Sequence, residues 1–288
     1  PSTTETAPST LRGWNSRGKS WEYSTSVQQQ LKPGVVLYGG YYLRKFGNDV
    51  VTDNTLIDAS SFSGPFCITA PNSTDLPGGG GYQVCNLYDI TAAARPLVHN
   101  YITKASNVGS ITNTYQGFDI GTNAQLPRGS FVNAGLNFQN RHLDSCNAPL
   151  LSGTTVYQVD SPESRFCDQQ FPFKPDFKLL GSTRLPYDMQ ISATFQIATG
   201  PNITATWQAP NSIIAPALGR NLAAGATATK SIQLIEPGTL YGDTLFQTDV
   251  RLSKRIKLGP LRMPGDVNLY TLFNSNFAST LNSNFSTS

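Results

Sequence analysis

Apolar and polar residues alternate along most of this chain with a period of two residues. The clearest stretch is Met189-Gln-Ile191-Ser-Ala193-Thr-Phe195-Gln-Ile197, in which every second residue is apolar. Such alternation indicates a β-strand whose two faces meet different surroundings. The segments that show it are 21–31, 35–46, 118–126, 131–138, 176–185, 189–197, 248–258 and 267–273. The pattern therefore predicts an all-β protein.

The predicted strands are long, and the connections between them alternate in length. Most strands have about 9 to 12 residues, which suits an oblique bilayer crossing better than the roughly 5 to 6 of an ordinary strand. Short turns rich in Pro and Gly are predicted at 32–34, 127–129, 185–188 and 259–265. Long polar loops are predicted at 47–116, 143–175 and 199–243. Short turns at one end and long loops at the other predict an antiparallel transmembrane β-barrel, here a segment of about eight strands.

Aromatic residues near the predicted strand ends bear on the choice between a membrane barrel and a soluble sheet. They include Trp21, Tyr23, Tyr41 and Tyr187. Tryptophan and tyrosine suit the interface between membrane and water, which favours the barrel. A soluble β-sandwich with aromatic residues in its core is the alternative.

One charged stretch is a candidate lumen-facing polar wall. Asp249, Arg251, Arg255 and Lys257 occupy alternate positions of one predicted strand, opposite a mainly apolar set. Inside a barrel such a face would line the lumen and pair internally. In a soluble sheet it would be an ordinary solvated face, and both interpretations stay open here.

The four cysteines, Cys67, Cys85, Cys146 and Cys167, predict two disulfides. Of the three pairings, Cys67–Cys85 and Cys146–Cys167 are favoured because each closes a loop of about 20 residues within one polar segment. Each bridge would stabilise the fold by on the order of 3 kcal/mol. Both fall in the predicted long loops, which places them on the outward, oxidising side of a membrane. Four unpaired thiols are the alternative.

Composition excludes several classes of protein. Charged residues make up 14% and the formal net charge is +3, so we expect no nucleic-acid partner. No segment is apolar for long enough to form a transmembrane helix. With two separate histidines and no nucleophile–base or carboxylate pair in view, we expect no enzyme, no catalytic residue, no metal and no cofactor. Residues 13–20 match a phosphate loop, but a β-like run rather than a helix follows them.

Five segments carry a resemblance to a known family. They are Trp21-Glu-Tyr-Ser24, Gly40-Tyr-Tyr-Leu-Arg-Lys-Phe-Gly-Asn48, Leu76-Pro-Gly-Gly-Gly-Gly-Tyr82, Ile191-Ser-Ala-Thr-Phe-Gln196 and, most strongly, Glu236-Pro-Gly-Thr-Leu-Tyr-Gly-Asp243. They resemble the C-terminal barrel portion of TonB-dependent receptor-like outer-membrane proteins, of the Oar-like group that carries a carboxypeptidase-regulatory-like domain. The resemblance implies a barrel of about 22 strands around an N-terminal plug, which imports large solutes with energy from the inner membrane. No segment is a catalytic signature.

The resemblance and the strand count together set the expected organisation and partners. We expect residues 1–18 to be a disordered or extended N-terminal segment and residues 19–288 to be part of a receptor barrel. The resemblance implies a bacterial outer-membrane or cell-surface location, contact with outer-membrane lipid, an inner-membrane energy-transducing partner and an unknown solute. The alternative function is an extracellular structural or adhesive β-protein, such as a fibre subunit that self-associates through its sheet edges.

Overall fold

The computed structural model describes residues 3–148, 159–273 and 275–286. Two short helices occur, α1 (Pro8–Leu11) and α2 (Asn211–Leu218). Within the described ranges, no helix is long and apolar enough to cross a membrane. In chain order the strands are β1 (Thr3–Thr6), β2 (Lys19–Lys32), β3 (Val35–Gly47), β4 (Val50–Asn54), β5 (Phe62–Thr69), β6 (Gln83–Ile90), β7 (His99–Lys104), β8 (Thr112–Leu126), β9 (Ser130–Asp144), β10 (Asp168–Leu185), β11 (Met189–Ala198), β12 (Thr206–Pro210), β13 (Thr229–Gln233), β14 (Leu245–Leu258), β15 (Leu261–Leu269) and β16 (Asn284–Phe285).

Eight strands form one large antiparallel sheet in the order β15-β14-β11-β10-β9-β8-β3-β2. Each of the eight segments predicted from alternation forms one of these strands. The strands are between 9 and 18 residues long, so several extend beyond the alternating stretch. The prediction of eight long antiparallel strands is confirmed.

The large sheet does not close into a barrel within the described residues. β2 and β15 are its two edges, and no described pairing joins them. The described residues thus show the predicted long antiparallel sheet as an open sheet, without a closed barrel. Eight strands can close only around an interior that side chains fill. Charged residues of this sheet such as Asp249 and Arg251 would then be buried, which costs free energy unless every charge is paired.

The four hairpin turns of the large sheet lie at one end, called here the turn end, and the long connections lie at the other, called the loop end. This arrangement was predicted, although the last turn is shorter than expected. β15 begins at Leu261 rather than after Gly265, and it ends at Leu269 rather than Phe273. Pro264 is accommodated because β15 is an edge strand, where a missing backbone N–H breaks no ladder hydrogen bond on the open side.

The long connections are folded rather than structureless, which corrects the interpretation of 47–116 and 199–243 as plain loops. They form a sheet of β1, β7 and β4, a sheet of β13, β12 and β16, and the hairpin of β5 and β6. The main buried hydrophobic cluster lies in them and includes the fully buried Leu87, Ile214 and Ile232. Short apolar runs inside these polar connections supply the buried residues. Because each connection is polar on average, its overall composition does not indicate a hydrophobic core.

The described part of the N-terminal segment is also folded. β1 pairs in parallel with β7, and α1 follows immediately. Ala7, between them, is buried, and its backbone N–H donates to the carbonyl of Ile102 over 2.9 Å. Of the two expectations for this segment, disordered or extended, residues 3–6 are extended, and pairing with β7 satisfies their backbone groups.

Candidate functional site

The large sheet has one apolar face and one polar face along all eight strands. Cross-strand register carries the alternation from strand to strand: Ile120 lies opposite Leu136, Leu136 opposite Phe177, and Phe177 opposite Ile197. Paired residues project to the same side of a sheet, so these positions merge into one surface. The residues of this apolar face include Leu37, Tyr41, Ile120, Leu136, Phe177, Leu179, Ile191, Phe195, Val250, Leu252 and Val267.

The apolar face is not covered by any described part of the chain. Val27 is 72% exposed, Ile120 50% and Val267 60%. Ile191, Phe195 and Val250 are half-buried, and none of them belongs to a cluster of buried hydrophobic residues. A continuous apolar surface of this kind is unusual on a soluble monomer and marks a site of contact with an apolar partner or a membrane.

A band of aromatic rings crosses the apolar face. The ring of Tyr41 lies 5.0 Å from that of Phe118, which lies 6.1 Å from that of Phe173. Phe177 and Phe195 form a further pair at 6.1 Å. Such offset pairs stabilise neighbouring strands and add to the apolar surface that the sheet presents.

The opposite, polar face is connected by hydrogen bonds between side chains of neighbouring strands. Glu22 and Arg44 form an ion pair between β2 and β3. Asn137 donates to Asp119 and, over 3.1 Å, to the Tyr42 hydroxyl. The residues of the polar face also include Ser26, Tyr38, Asn133, Lys178, Arg184, Ser192, Thr194, Asp249, Arg251, Ser253, Arg255, Lys257, Arg262 and Asp266.

The four residues predicted to form a polar wall, Asp249, Arg251, Arg255 and Lys257, share the polar face of β14. Asp249 accepts hydrogen bonds from the Gln247 side chain (3.0 Å) and from the backbone N–H of Thr271 (2.8 Å). Arg251 donates to Asn268 over 2.6 Å. Lys257 lies 3.6 Å from the carboxylate of Asp188. Three of the four side chains are thus bonded to other polar groups of the polar face or of its hairpin turns, and none of these contacts joins two of the four.

Shallow clefts open on the polar face. One of about 680 Å³ lies over Tyr38, Gly40, Asn133 and Lys178, and others of about 270 and 300 Å³ follow across β10, β11 and β14. Tyr38 and Tyr42 lie flat on glycines of β8, where an added Cβ would overlap their hydroxyls. Because clefts form on the hollow side of a curled sheet, we infer that the polar face is concave and the apolar face convex.

The loop end carries both disulfides and a half-buried ion pair between Arg220 and Asp89. The bonds join Cys67 to Cys85 and Cys146 to Cys167, which are the pairings that the sequence favours. Arg220, which follows α2, donates to the Asp89 carboxylate over 2.7 Å and to the carbonyl of Ile90 over 2.9 Å. These contacts hold the α2 region against the β5–β6 hairpin and stabilise the folded connections.

One loop-end carboxyl group should make stability depend on pH. Burial and a hydrogen bond with the carboxyl of Asp53 raise the pKa of Asp160 to about 6, from an ordinary value of 3.8. The Asp160 carboxylate also accepts the backbone N–H of Asn54 over 2.7 Å. Because the folded pKa is the higher one, the contribution to stability is complete below pH 3.8 and is lost as the pH rises through about 6.

The test of this pH effect is hydrogen exchange at β4 and β7, measured between pH 4 and pH 7. We expect protection in the native chain to fall over this range after correction for the intrinsic exchange rate. Asp160→Asn should remove most of the change, since an amide does not titrate. An unchanged pH dependence in Asp160→Asn would contradict the assignment.

Neither a metal site nor a family assignment emerges from the described residues or from the comparisons. No group of three or more His, Cys, Asp or Glu residues among them is placed to hold a metal ion.

No protein-family profile matches the chain, and no curated protein sequence matches it. Among solved structures, the chain is similar to the outer membrane transporter YddB from Escherichia coli, with 11% identity and a TM-score of 0.44. The match covers 97% of this chain and 31% of the transporter, so this chain spans less than a third of the transporter's length.

Proposed function

We propose that this chain is a wall segment of a bacterial outer-membrane receptor or transporter barrel. The observation that carries the proposal is the separation of mainly apolar from mainly polar residues across eight registered strands. A spanning strand faces lipid on one side and the barrel interior on the other, so its alternate residues meet different solvents. The apolar face would contact lipid, and the polar face, including Asp249, Arg251, Arg255 and Lys257, would line the interior.

The membrane environment places a further requirement on the two edge strands. Lipid offers no hydrogen bonds, so the free backbone groups of β2 and β15 need partners. The proposal therefore includes further strands that pair with these edges. A wider barrel formed in this way would admit a large solute. The resemblance to TonB-dependent receptors implies that an inner-membrane protein would supply the energy for its uptake. The disulfide-bearing loop end would face outward, where disulfides persist.

The experiment that tests the proposal places the full chain in vesicles of phosphatidylcholine and measures quenching of tryptophan fluorescence by brominated lipid. Trp21 lies on the apolar-face side of β2 and is exposed, whereas Trp207 is buried at the loop end. We expect brominated lipid to quench a component that Trp21→Phe removes. Trp207→Phe is the matched control and should leave that component in place. A chain that stays soluble without detergent and shows no quenching of Trp21 would contradict the proposal.

A second function is favoured by the open edges of the sheet. β2 is exposed along its whole length, and an unpaired strand is a template for pairing with another chain. An extracellular structural or adhesive protein that polymerises through β2 and β15 would use these edges. Electron micrographs distinguish the two functions: fibres in detergent-free buffer would support polymerisation, and dispersed membrane-embedded particles would support the barrel.

A further inference from the structure

Positive charge is concentrated at the turn end of the large sheet. Within six residues of the four hairpin turns there are seven basic residues and two acidic ones, a net charge of +5, whereas the whole chain carries +3. The acidic residues are Asp188 and Asp266. The basic residues are Lys32, Arg128, Arg184, Lys254, Arg255, Lys257 and Arg262. The remainder of the chain is therefore slightly acidic, and the excess positive charge belongs to one end of the sheet.

Four of these basic residues share the polar face. Arg184 of β10 is in line with Ser253 of β14 through their common partner Gln190. Arg255 and Lys257 follow Ser253 at alternate positions, which places them on the same side. Lys257 in turn lies directly opposite Arg262 of β15. Three strands, β10, β14 and β15, thus bring four positive charges to one region of the polar face.

A cleft of about 290 Å³ lies within this region, and it is called here the turn-end cleft. Arg184, Arg255, Asp188 and Asp266 are among the residues that line it. The guanidinium carbon of Arg184 lies 3.3 Å from the position that a Cβ of Gly129 would occupy, so the neighbouring turn supports this side chain.

The turn-end cleft is lined by three basic residues, Arg184, Lys254 and Arg255, and by two acidic ones, and Arg262 lies outside the lining, opposite Lys257. Lys257 takes Asp188 as its partner at 3.6 Å. Within the described ranges, no carboxylate lies within 4.0 Å of Arg184, Arg255 or Arg262, and all three side chains are exposed. Like charges that share one region of a face repel one another, and an anion bound there would relieve the repulsion. Guanidinium groups also bind carboxylate and phosphate oxygens through two parallel hydrogen bonds.

We propose that the turn-end cleft binds a small polyanion with carboxylate or phosphate groups. This inference rests on the proposed function and specifies it, because it makes an anionic solute the species that the polar face receives. Membrane headgroups are disfavoured as the ligand, since the three arginines lie on the face opposite the apolar one.

The experiment measures binding of two anionic probes and one neutral probe to the full chain in zwitterionic detergent by isothermal titration calorimetry. Tripolyphosphate supplies phosphate groups and citrate supplies carboxylates, while maltotriose is the neutral probe. We expect the two anions to bind, maltotriose not to bind, and added salt to weaken both anions because it screens exposed charges. Preference for one anion identifies which group the cleft favours.

Two sets of variants locate the binding site. The triple variant Arg184→Gln, Arg255→Gln, Arg262→Gln should weaken anion binding at least about tenfold, since it removes several charge-assisted hydrogen bonds. The matched control Arg12→Gln, Arg17→Gln, Arg95→Gln makes the same charge change at exposed loop-end positions and should leave affinity within about twofold. Asp266→Asn should tighten binding, a gain that misfolding does not produce.

The inference is overturned if neither anion binds, if both triple variants weaken binding equally, or if Asp266→Asn does not increase affinity. Its failure is distinguishable from failure of the barrel proposal. Quenching of Trp21 by brominated lipid does not depend on the turn-end cleft, and anion binding does not depend on lipid. A chain that contacts lipid without binding anions would keep the barrel function and lose only this ligand class.

Discussion

Ala193→Arg should destabilise the membrane-embedded chain by about 2–4 kcal/mol, the cost of an arginine facing lipid near the bilayer midplane. Ala193 lies at the middle of β11 on the apolar face, between Gly181 and Val250 of the neighbouring strands. Its side chain is exposed, so an arginine meets no steric obstacle and the effect reports the surrounding medium. Urea unfolding in phosphatidylcholine vesicles, followed by the gel mobility of unheated samples, measures the change.

The adjacent residue Thr194 is the matched control for this substitution. It is also exposed but lies on the polar face, opposite Asp249 and Leu180. Thr194→Arg should change the free energy of unfolding by less than about 1 kcal/mol, because the barrel interior is aqueous and Asp249 is a neighbouring carboxylate. Equal destabilisation by the two arginines would mean that both faces meet the same medium, and the barrel proposal would then be rejected.

Leu87→Ala should destabilise the folded connections at the loop end by about 2–5 kcal/mol. Leu87 in β6 has no exposed surface and belongs to the main hydrophobic cluster, where it pairs across the hairpin with Phe66. Removing its side chain leaves a cavity that the Cys67–Cys85 bond between the two strands hinders from collapsing. Hydrogen exchange of β5 and β6 is the appropriate measurement, since the loss should be local to this cluster.

Leu56→Ala makes the same chemical change in the same long connection. Leu56 is 52% exposed, so its truncation should cost under about 1 kcal/mol and leave exchange at β5 and β6 unaltered. The large sheet should keep its urea midpoint in both variants, because the buried cluster contains no residue of its eight strands. Loss of protection in the large sheet on Leu87→Ala would show instead that the two parts unfold together.

The sequence predicted the large sheet well because its signals are local. Alternation in 189–197 and the Pro-Gly turn at 32–34 each depend on a few consecutive residues, and the structure contains the corresponding strand and hairpin. The disulfide pairing was also accessible, since short loops favour Cys67–Cys85 and Cys146–Cys167. The sequence analysis missed Arg184 and Arg262 as residues of the polar face at the turn end. Their alternate positions within their strands and their closeness to hairpin turns could have identified them.

The folded connections were missed because their signals are distant in the chain. Leu87, Trp207 and Ile232 come from three separate segments, and each segment alone is short, polar on average and without a clear period. Their burial follows from contacts more than a hundred residues apart, such as that of Arg220 with Asp89. Tyr82 likewise donates to the carbonyl of Leu234 over 3.0 Å. Periodicity within a window does not report such contacts.

The order of residues by itself determined where the eight long strands lie, which of their side chains share a face and which end of the sheet carries the tight turns. These features follow from the two-residue repeat of extended backbone and from the dihedral preferences of Pro and Gly. Tertiary structure alone decided that β2 and β15 remain apart, that the long connections enclose a core, and that Arg184 and Arg255 line one cleft. Each of these depends on which strands become neighbours, and that is set by the balance of burial and pairing over the whole chain.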